Sequence, residues 1–251
     1  MPKISACIIS YNEEQKIEDC LRSIVPVADE IIVVDSLSED RTVEIAKRYT
    51  DKVYDQKFLG HIEQKNLAID KAGNDWILSL DCDERLDPVL TKAILDIKDR
   101  LDEHDGYSMA RKTFYVYRWL NHCWYPDRKI RLFDRRHGRW GGINPHDRLT
   151  VDTGDVAELP GDILHYSFDS LSAHIQTLDK FTDIAAGEII TSGKPVGLAA
   201  PVSHSGWTFV RMYLIKGGFL DGFAGFVASF LSSVYAFVKY AKVIFHRRRN
   251  Q

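Results

Sequence analysis

Short apolar runs and helically spaced apolar residues alternate over the first hundred positions. Ile4–Ser10 is isoleucine-rich and too short for a stable helix, so it predicts a buried strand. Asn12 then offers a helix N-cap, and Gln15 sits three residues on, the capping-box spacing. Ile17, Leu21 and Ile24 share one helical face, which predicts a helix over residues 13–25. Glu30–Asp35 (EIIVVD) predicts a second buried strand, 42–49 a short helix, 52–54 a weak third strand and 61–71 another helix. Residues 76–80 (WILSL) predict a fourth strand ending in Asp81. Pro88 suits the first turn of the next helix, where Leu90, Ile94, Ile97 and Leu101 form one stripe. Strands alternating with helices predict an α/β fold, a parallel sheet with helices on both faces. Such sheets bind ligands beyond the carboxyl ends of their strands, where Asp35 and Asp81 stand. The first strand is not followed by GxGxxG, which argues against a dinucleotide fold of the usual kind.

The pattern changes near residue 106. Residues 106–111 and 129–134 predict strands, separated by a basic, aromatic stretch that holds Tyr115, Tyr117, Trp119, Trp124 and Tyr125. Residues 137–148 (HGRWGGINPHDR) predict a Gly- and Pro-rich loop, 163–166 a last strand and 170–191 a helix. Residues 1–200 read as one folded unit and 201–251 as an amphipathic, basic helical tail. Between Gly217 and Val238 the only charge is Asp221, while Lys216 precedes the stretch and Lys239, Lys242 and Arg247, Arg248 and Arg249 follow. The uncharged run 222–238 is at the bottom of the range for a spanning helix and is diluted by Gly and Ser. A helix at a membrane interface, over 205–249, is favoured over a full span. A buried helical hairpin or a dimer contact is the alternative.

Composition narrows the field. Hydrophobic residues make up 45 % and charged residues 27 % of the 251. That excludes a disordered tail, a collagen-like repeat and a polytopic membrane protein. The net charge of −3 hides an asymmetry. Residues 1–100 carry 14 Lys+Arg against 21 Asp+Glu, and residues 201–251 carry 7 against 1. No nucleic-acid partner is expected, and the basic tail suits an anionic membrane surface. Cys7, Cys20, Cys82 and Cys123 make no CxxC or zinc spacing. Cys7 and Cys20 read as core, and a reducing compartment is expected. The N-terminal MPKISACIIS reads as a strand rather than a cleavable signal.

The sharpest chemical signal is Asp81-Cys82-Asp83-Glu84 at a strand's exit. Carboxylates so placed can hold a hard cation such as Mg²⁺ together with phosphate oxygens. Lys129 and Arg131 alternate on one strand and could face a single anion, with Arg135 and Arg136 beyond them. A charged strand edge that deters aggregation is the alternative. Trp119, Trp124 and Trp140 suit sugar stacking or a buried core. His61, His122, His165 and His174 have no ligand spacing and read as structural.

ACIISYNEE, IIVVDSLSEDRT, QKNLAID and WILSLDCDERL, in order over residues 6–86, resemble the family 2 inverting glycosyltransferases. RKIRLFDR, GGINPHDRL, ILHYSF and GGFLDGFAGF resemble the bacterial lipopolysaccharide inner-core β-glucosyltransferase branch. The resemblance implies the glycosyltransferase A-type fold, with 1–105 as the nucleotide-sugar half and 106–200 as the acceptor half. It implies that Ser10, Tyr11, Asn12 and Glu13 line the nucleotide pocket and that Asp35 contacts uracil or ribose. Lys65 and Asn66 would lie near nucleotide and sugar, Asp81 would contact sugar or ribose, and Asp83 would hold Mg²⁺ or Mn²⁺ on the diphosphate. Related branches carry His-Glu where this chain has His146-Asp147. The resemblance thus implies Asp147 as general base, Glu84 being next in line. Lys129, Arg131 and His146 would meet an acceptor or phosphate. The chain departs from the family at Leu37 and Glu39, where Gly and Thr are common, and Leu37 lacks glycine's access to positive φ.

The activity so implied is metal-dependent, inverting transfer of a hexose, glucose foremost, from a UDP-sugar to a membrane-anchored saccharide such as the lipopolysaccharide inner core. QxxRW, the signature of processive members, is missing, so one transfer per acceptor is expected. The expected location is the cytoplasm, peripheral on the inner membrane. A polyprenyl-phosphate sugar synthase and a catalytically idle nucleotide-binding module are the alternatives.

Overall fold

The computed structural model describes residues 1–143 and 146–249. Its first half runs β1 (Ile4–Ser10), α1 (Ile17–Ile24), β2 (Glu30–Asp35), α2 (Thr42–Ala46), β3 (Val53–Asp55), α3 (His61–Asp70), β4 (Trp76–Asp81), β5 (Glu84–Leu86) and α4 (Pro88–Ile97). The strands β1, β2 and β4 fall where the apolar runs put them. Asp87 caps α4, its Oδ1 accepting from Leu90 N, and Pro88 follows at the first helical position. The helix expected from residue 13 starts instead at Ile17. Its would-be N-terminal amides are claimed elsewhere: Asn12 N by Ser38 Oγ, Glu13 N by Thr42 Oγ1 and Glu14 N by Asp40 Oδ2. Asn12 itself takes φ 53° and accepts from Glu39 N, so it caps nothing in α1. The short strand β5 directly follows the acidic turn, where the sequence pattern predicts none.

The second half adds β6 (Gly106–Tyr115), β7 (Arg118–Trp119), β8 (Asp127–Asp134), β9 (Gly138–Ile143), β10 (His146–Val151) and β11 (Val156–Phe168). The main sheet has the order β3-β2-β1-β4-β8-β6-β11-β5, with β7 on β6. The first four strands are parallel, as expected. β8 lies antiparallel to β4 and β6, and β5 antiparallel to β11, so the sheet is mixed. The physical reason was legible: after residue 106 no helix separates the strands, and a chain that returns without a crossover runs antiparallel. Residues 138–151 correct a second expectation. Gly138–Ile143 and His146–Val151 form the ribbon β9–β10 rather than an open loop, with Asp147 opposite Gly142 and Leu149 opposite Trp140, while 144–145 lie outside the described residues. Trp140 and Leu149 are buried in one apolar cluster, and that burial fixes the ribbon's register.

Alternation along β1 covers both faces of the parallel half. Ile4, Ala6 and Ile8 pack with α1, α2 and α4, while Cys7 and Ile9 pack with Ala68 and Ile69 of α3. Helices thus lie on both sides, as the pattern required.

Two compact units emerge, residues 1–111 with 127–165, and residues 112–126 with 166 onward. The second unit contains α5 (Leu171–Thr191), α6 (Ala200–Phe209), a π-helical turn Val210–Ile215, a 3₁₀ turn Gly218–Asp221 and α7 (Gly222–Arg249). Its core joins Tyr115, Leu120 and Cys123 to Met212, Ala224 and Ala228, which is why 112–126 belongs with the tail. Trp124 packs on Tyr115 and Phe168, and Trp119 on Phe114 and Tyr166, so both tryptophans serve this packing. Gly218–Arg249 is long and apolar enough to cross a membrane by length and composition, with 39 % of its most apolar window buried.

His174 lies in this second core, 2.8 Å from Tyr115 Oη and stacked on Phe168. Burial pushes its pKa down to about 4. Protonation therefore favours the unfolded chain. Its contribution is complete above about pH 6.5 and is lost as pH falls toward 4. Urea midpoints should drop across that window, and His174→Gln should flatten the drop. An unchanged slope in the variant would remove His174 as its source.

Candidate active site

β1 sits between β2 and β4, with Ser10 beside Asp35 and Ile9 beside Asp81. Both aspartates therefore end at the same edge of the sheet, the edge where parallel sheets bind ligands. Their environments differ. Asp35 is fully buried, and its carboxylate accepts from Ser10 Oγ at 2.7 Å, Ser38 N at 2.7 Å and Ser38 Oγ at 2.6 Å. These bonds build the turn after β2. Those bonds hold Leu37 at φ 65°, the conformation glycine would have supplied, with its side chain left in solvent. Tyr11 is exposed beside this turn. Ser10 is spent on Asp35, while Asn12 and Glu13 tie β1's exit to residues 38–42 through the bonds already described.

Asp81 anchors a buried charge cluster. Lys65 Nζ lies 2.9 Å from Asp81 Oδ1 and 2.8 Å from Asp147 Oδ2. Arg131 reaches Asp81 Oδ2 at 3.3 Å and forks Glu84 through Nη2 at 2.8 Å and Nε at 3.2 Å. Arg111 bridges Glu84 and Asp127 at 3.2 and 2.7 Å. Four carboxylates, Asp81, Glu84, Asp127 and Asp147, thus face three cations. Trp140 forms one wall, its ring 4.1 Å from Lys65 Nζ and 5.0 Å from the Arg131 guanidinium. The indole N–H donates to Ser79.

Burial alone would raise the Asp81 and Glu84 carboxyls. Lys65 and Arg131 outweigh it at Asp81, and Arg131 and Arg111 do so at Glu84, so both lie below the usual range. Burial pushes the Cys20 and Cys82 thiols far up, which leaves them inert.

The structure thus gathers Lys65, Asp81, Asp147 and Arg131 from α3, β4, β10 and β8. Asn66 serves this assembly, its amide exchanging bonds with the backbone N–H and C=O of Trp140. Lys129 is not part of it: Lys129 pairs with Asp127 two residues along the strand. Arg135 donates to the Ile69 and Ala72 carbonyls around the C-terminal end of α3, and Arg136 pairs with Asp134, so neither faces the cluster. Glu84, next in line as a base, is fully buried and locked by two arginines and the Asp81 N–H. His146 opens β10, and its side chain lies outside the described residues.

Asp83 points elsewhere in the turn, 25 % exposed, with Oδ2 3.2 Å from His165 Nε2. His165 has no ligand spacing in the sequence. His165 pairs across the ladder with Glu84, a placement available only once β11 is known to lie beside β5. Among the described residues, no group of three or more His, Cys, Asp or Glu could hold a metal ion unaided. The donor set still suits a hard cation that takes one protein carboxylate and completes its shell with phosphate oxygens and water. Asp83 would be that carboxylate.

A model of glycosyl transferase family 2 matches residues 5–148. An uncharacterised glycosyltransferase of Rickettsia typhi is 30 % identical over 260 residues, covering 97 % of this chain and 87 % of the relative. The lipopolysaccharide core biosynthesis glycosyltransferase LpsC of Rhizobium meliloti is 29 % identical over 252 residues, covering 97 % and 93 %. Among solved structures, the mannosyltransferase PcManGT of Pyrobaculum calidifontis, in complex with GDP-Man and Mn²⁺, is similar with a TM-score of 0.57. That likeness, at 15 % identity, covers 98 % of this chain and 88 % of the other. It speaks to the fold, the glycosyltransferase A-type sheet.

Proposed function

The chain belongs to glycosyltransferase family 2, and from that premise we propose that it moves a hexose, glucose foremost, from a UDP-sugar to a membrane-anchored saccharide of the lipopolysaccharide inner-core type. The transfer is inverting, with one sugar added per acceptor, at the cytoplasmic face of the inner membrane. The observation that carries this reading is Lys65 bridging Asp81 and Asp147 at the carboxyl edge of the parallel strands. The relative named for lipopolysaccharide core biosynthesis supports the acceptor class. The neighbour bound to GDP-Man and Mn²⁺ supports a nucleotide-sugar donor and a divalent cation. Uridine as the base rests on the motif resemblance.

An inverting transfer is one displacement at the anomeric carbon. The acceptor hydroxyl attacks opposite the diphosphate and gives its proton to a carboxylate within hydrogen-bond reach. Asp147 fills that role. Lys65 fixes its position, and the β9–β10 ribbon fixes its distance from Asp81. Asp81 orients the donor sugar through hydroxyl contacts. Asp83 would hold the cation, which when bound neutralises the departing diphosphate as a Lewis acid. Arg131 and Trp140 hold the cluster in place, so that little reorganisation accompanies the reaction.

Differential scanning fluorimetry tests the donor. UDP-glucose with Mn²⁺, at a hundredfold its Kd, should stabilise the fold by about 2.7 kcal/mol. GDP-mannose should do less, and Asp83→Asn should remove the cation-dependent part. A larger shift with GDP-mannose would reassign the donor, and no shift with any nucleotide sugar would remove the proposal. Labelled glucose appearing on polyprenyl phosphate rather than core saccharide would replace the acceptor.

A further inference from the structure

Helix α7 carries its large apolar residues on the side that faces out. Phe223, Phe226, Phe230, Phe237 and Phe245 are 39 to 73 % exposed. At 100° per residue they fall within an arc of about 100°. The opposite face, built from small residues such as Ala224, Gly225, Ala228, Ser229 and Ala236, packs inward. A helix in water has the reverse arrangement, so the phenylalanine stripe is made to be covered.

The neighbouring segment adds further exposed apolar residues. α6 runs antiparallel to α7: His204 stacks on Tyr240, the Ser205 and Ser233 hydroxyls meet at 2.8 Å, and Phe209 meets Phe226 edge to face. Trp207, Leu214 and Ile215 add exposed apolar surface toward the hairpin's turn. Gly225 makes the turn possible, because a Cβ there would lie 2.0 Å from the Gly218 carbonyl oxygen.

The charges select the occupant. Asp221 is the one acidic residue of 201–251. It is turned inward and fully buried, accepting from the Asn121, His122 and Cys123 amides with His122 Nδ1 2.9 Å away. No carboxylate therefore reaches the surface of this segment among the described residues. Arg211, Lys216, Arg248 and Arg249 are exposed at its two ends. A second copy seated on the same face would bring these like-charged ends together. An anionic bilayer would not. Crossing that bilayer is also unfavourable. Lys242 of α7 is held by Asp179 and Asp183 of α5, at 2.9 and 2.7 Å, and a helix tied to a charged neighbour does not enter hydrocarbon.

We infer that the α6–α7 hairpin lies in the plane of an anionic bilayer, with the α7 phenylalanine stripe at the headgroup–acyl boundary. The inference rests on the proposed function only for its purpose, holding the site against a lipid-linked acceptor.

The test uses the full chain and vesicles of phosphatidylcholine with phosphatidylglycerol. The protein should float with these vesicles, and salt should weaken the binding. Combined Phe223→Ser, Phe230→Ser and Phe237→Ser should lower the partition coefficient about tenfold or more, with an unchanged melting temperature. The inference is overturned if the native chain does not float or if the triple variant floats equally well. Release by detergent but not by salt, or a dimer that the triple variant dissolves, would overturn it too. The UDP-glucose shift, measured on the same preparation without vesicles, reads the donor assignment separately.

Discussion

Asp147→Asn should lower the transfer rate by about 10² to 10⁴, the range for losing a positioned general base, while nucleotide-sugar affinity stays within a few-fold. The substitution preserves shape and removes only the proton-accepting charge. Lys65 keeps Asp81 at 2.9 Å, so the cluster loses one carboxylate without stranding its lysine. A kcat loss without a Kd change would mark an interaction needed at the displacement itself. The measurement is labelled-sugar transfer beside a calorimetric Kd for UDP-glucose. Retention of turnover would show that another group takes the proton. Asp147→Glu supplies the control. It restores the charge one methylene further out, so partial recovery would report reach rather than charge. Loss of nucleotide binding along with turnover would instead make Asp147 a part of the donor pocket.

Arg131→Met should cost the fold about 3 to 5 kcal/mol, the largest stability effect expected of any single substitution in the cluster. Arg131 touches both Asp81 and Glu84. Without it Glu84 remains fully buried, with Arg111 at 3.2 Å as its remaining cation. Methionine fills the volume and packs on Trp140, so the loss reports unpaired charge more than a cavity. The sign of the pH dependence follows from Glu84. Its folded pKa lies below its usual value, so its stabilising contribution is present above about pH 4.5 and is lost as pH falls further. In Arg131→Met the stranded carboxylate gains from protonation. The stability gap between variant and native protein should therefore narrow as pH drops through that region. Urea denaturation at pH 7 and at pH 4 measures both. Arg131→Lys should recover only part of the loss, because an ammonium cannot fork Glu84 while reaching Asp81. A gap that is constant with pH would locate the cost in packing against Trp140.

The parallel half was legible because its signals are local. Ile4–Ser10, Glu30–Asp35 and the run ending at Asp81 are buried on both faces, and such strands announce themselves as continuous apolar runs. Pro88 at the first position of α4 announces that helix in the same local way. The start of α1 was misread because its competitors lie 26 to 29 residues away, on Ser38, Asp40 and Thr42. Local capping chemistry cannot weigh a long-range partner. The glycines of 138–142 suggested a loop, but Trp140 and Leu149 each bury an apolar side chain from opposite strands, and that burial made a ribbon.

The chain's own order of residues determined a strand–helix alternation, an acidic exit at Asp81 and Asp83, and a tail with positive ends. Hydrophobic periodicity and strand-end chemistry act over a few residues, so they survive in one dimension. Tertiary structure alone decided which charges meet. It brought Lys65 to Asp147 across 82 positions, shut Asp35 into a turn and set Arg131 against Glu84 rather than an open anion. It also turned Asp221 inward and left the phenylalanines of α7 outside. A buried charge must find its partner wherever the fold delivers one, and that delivery is fixed by packing distances the linear chain does not contain.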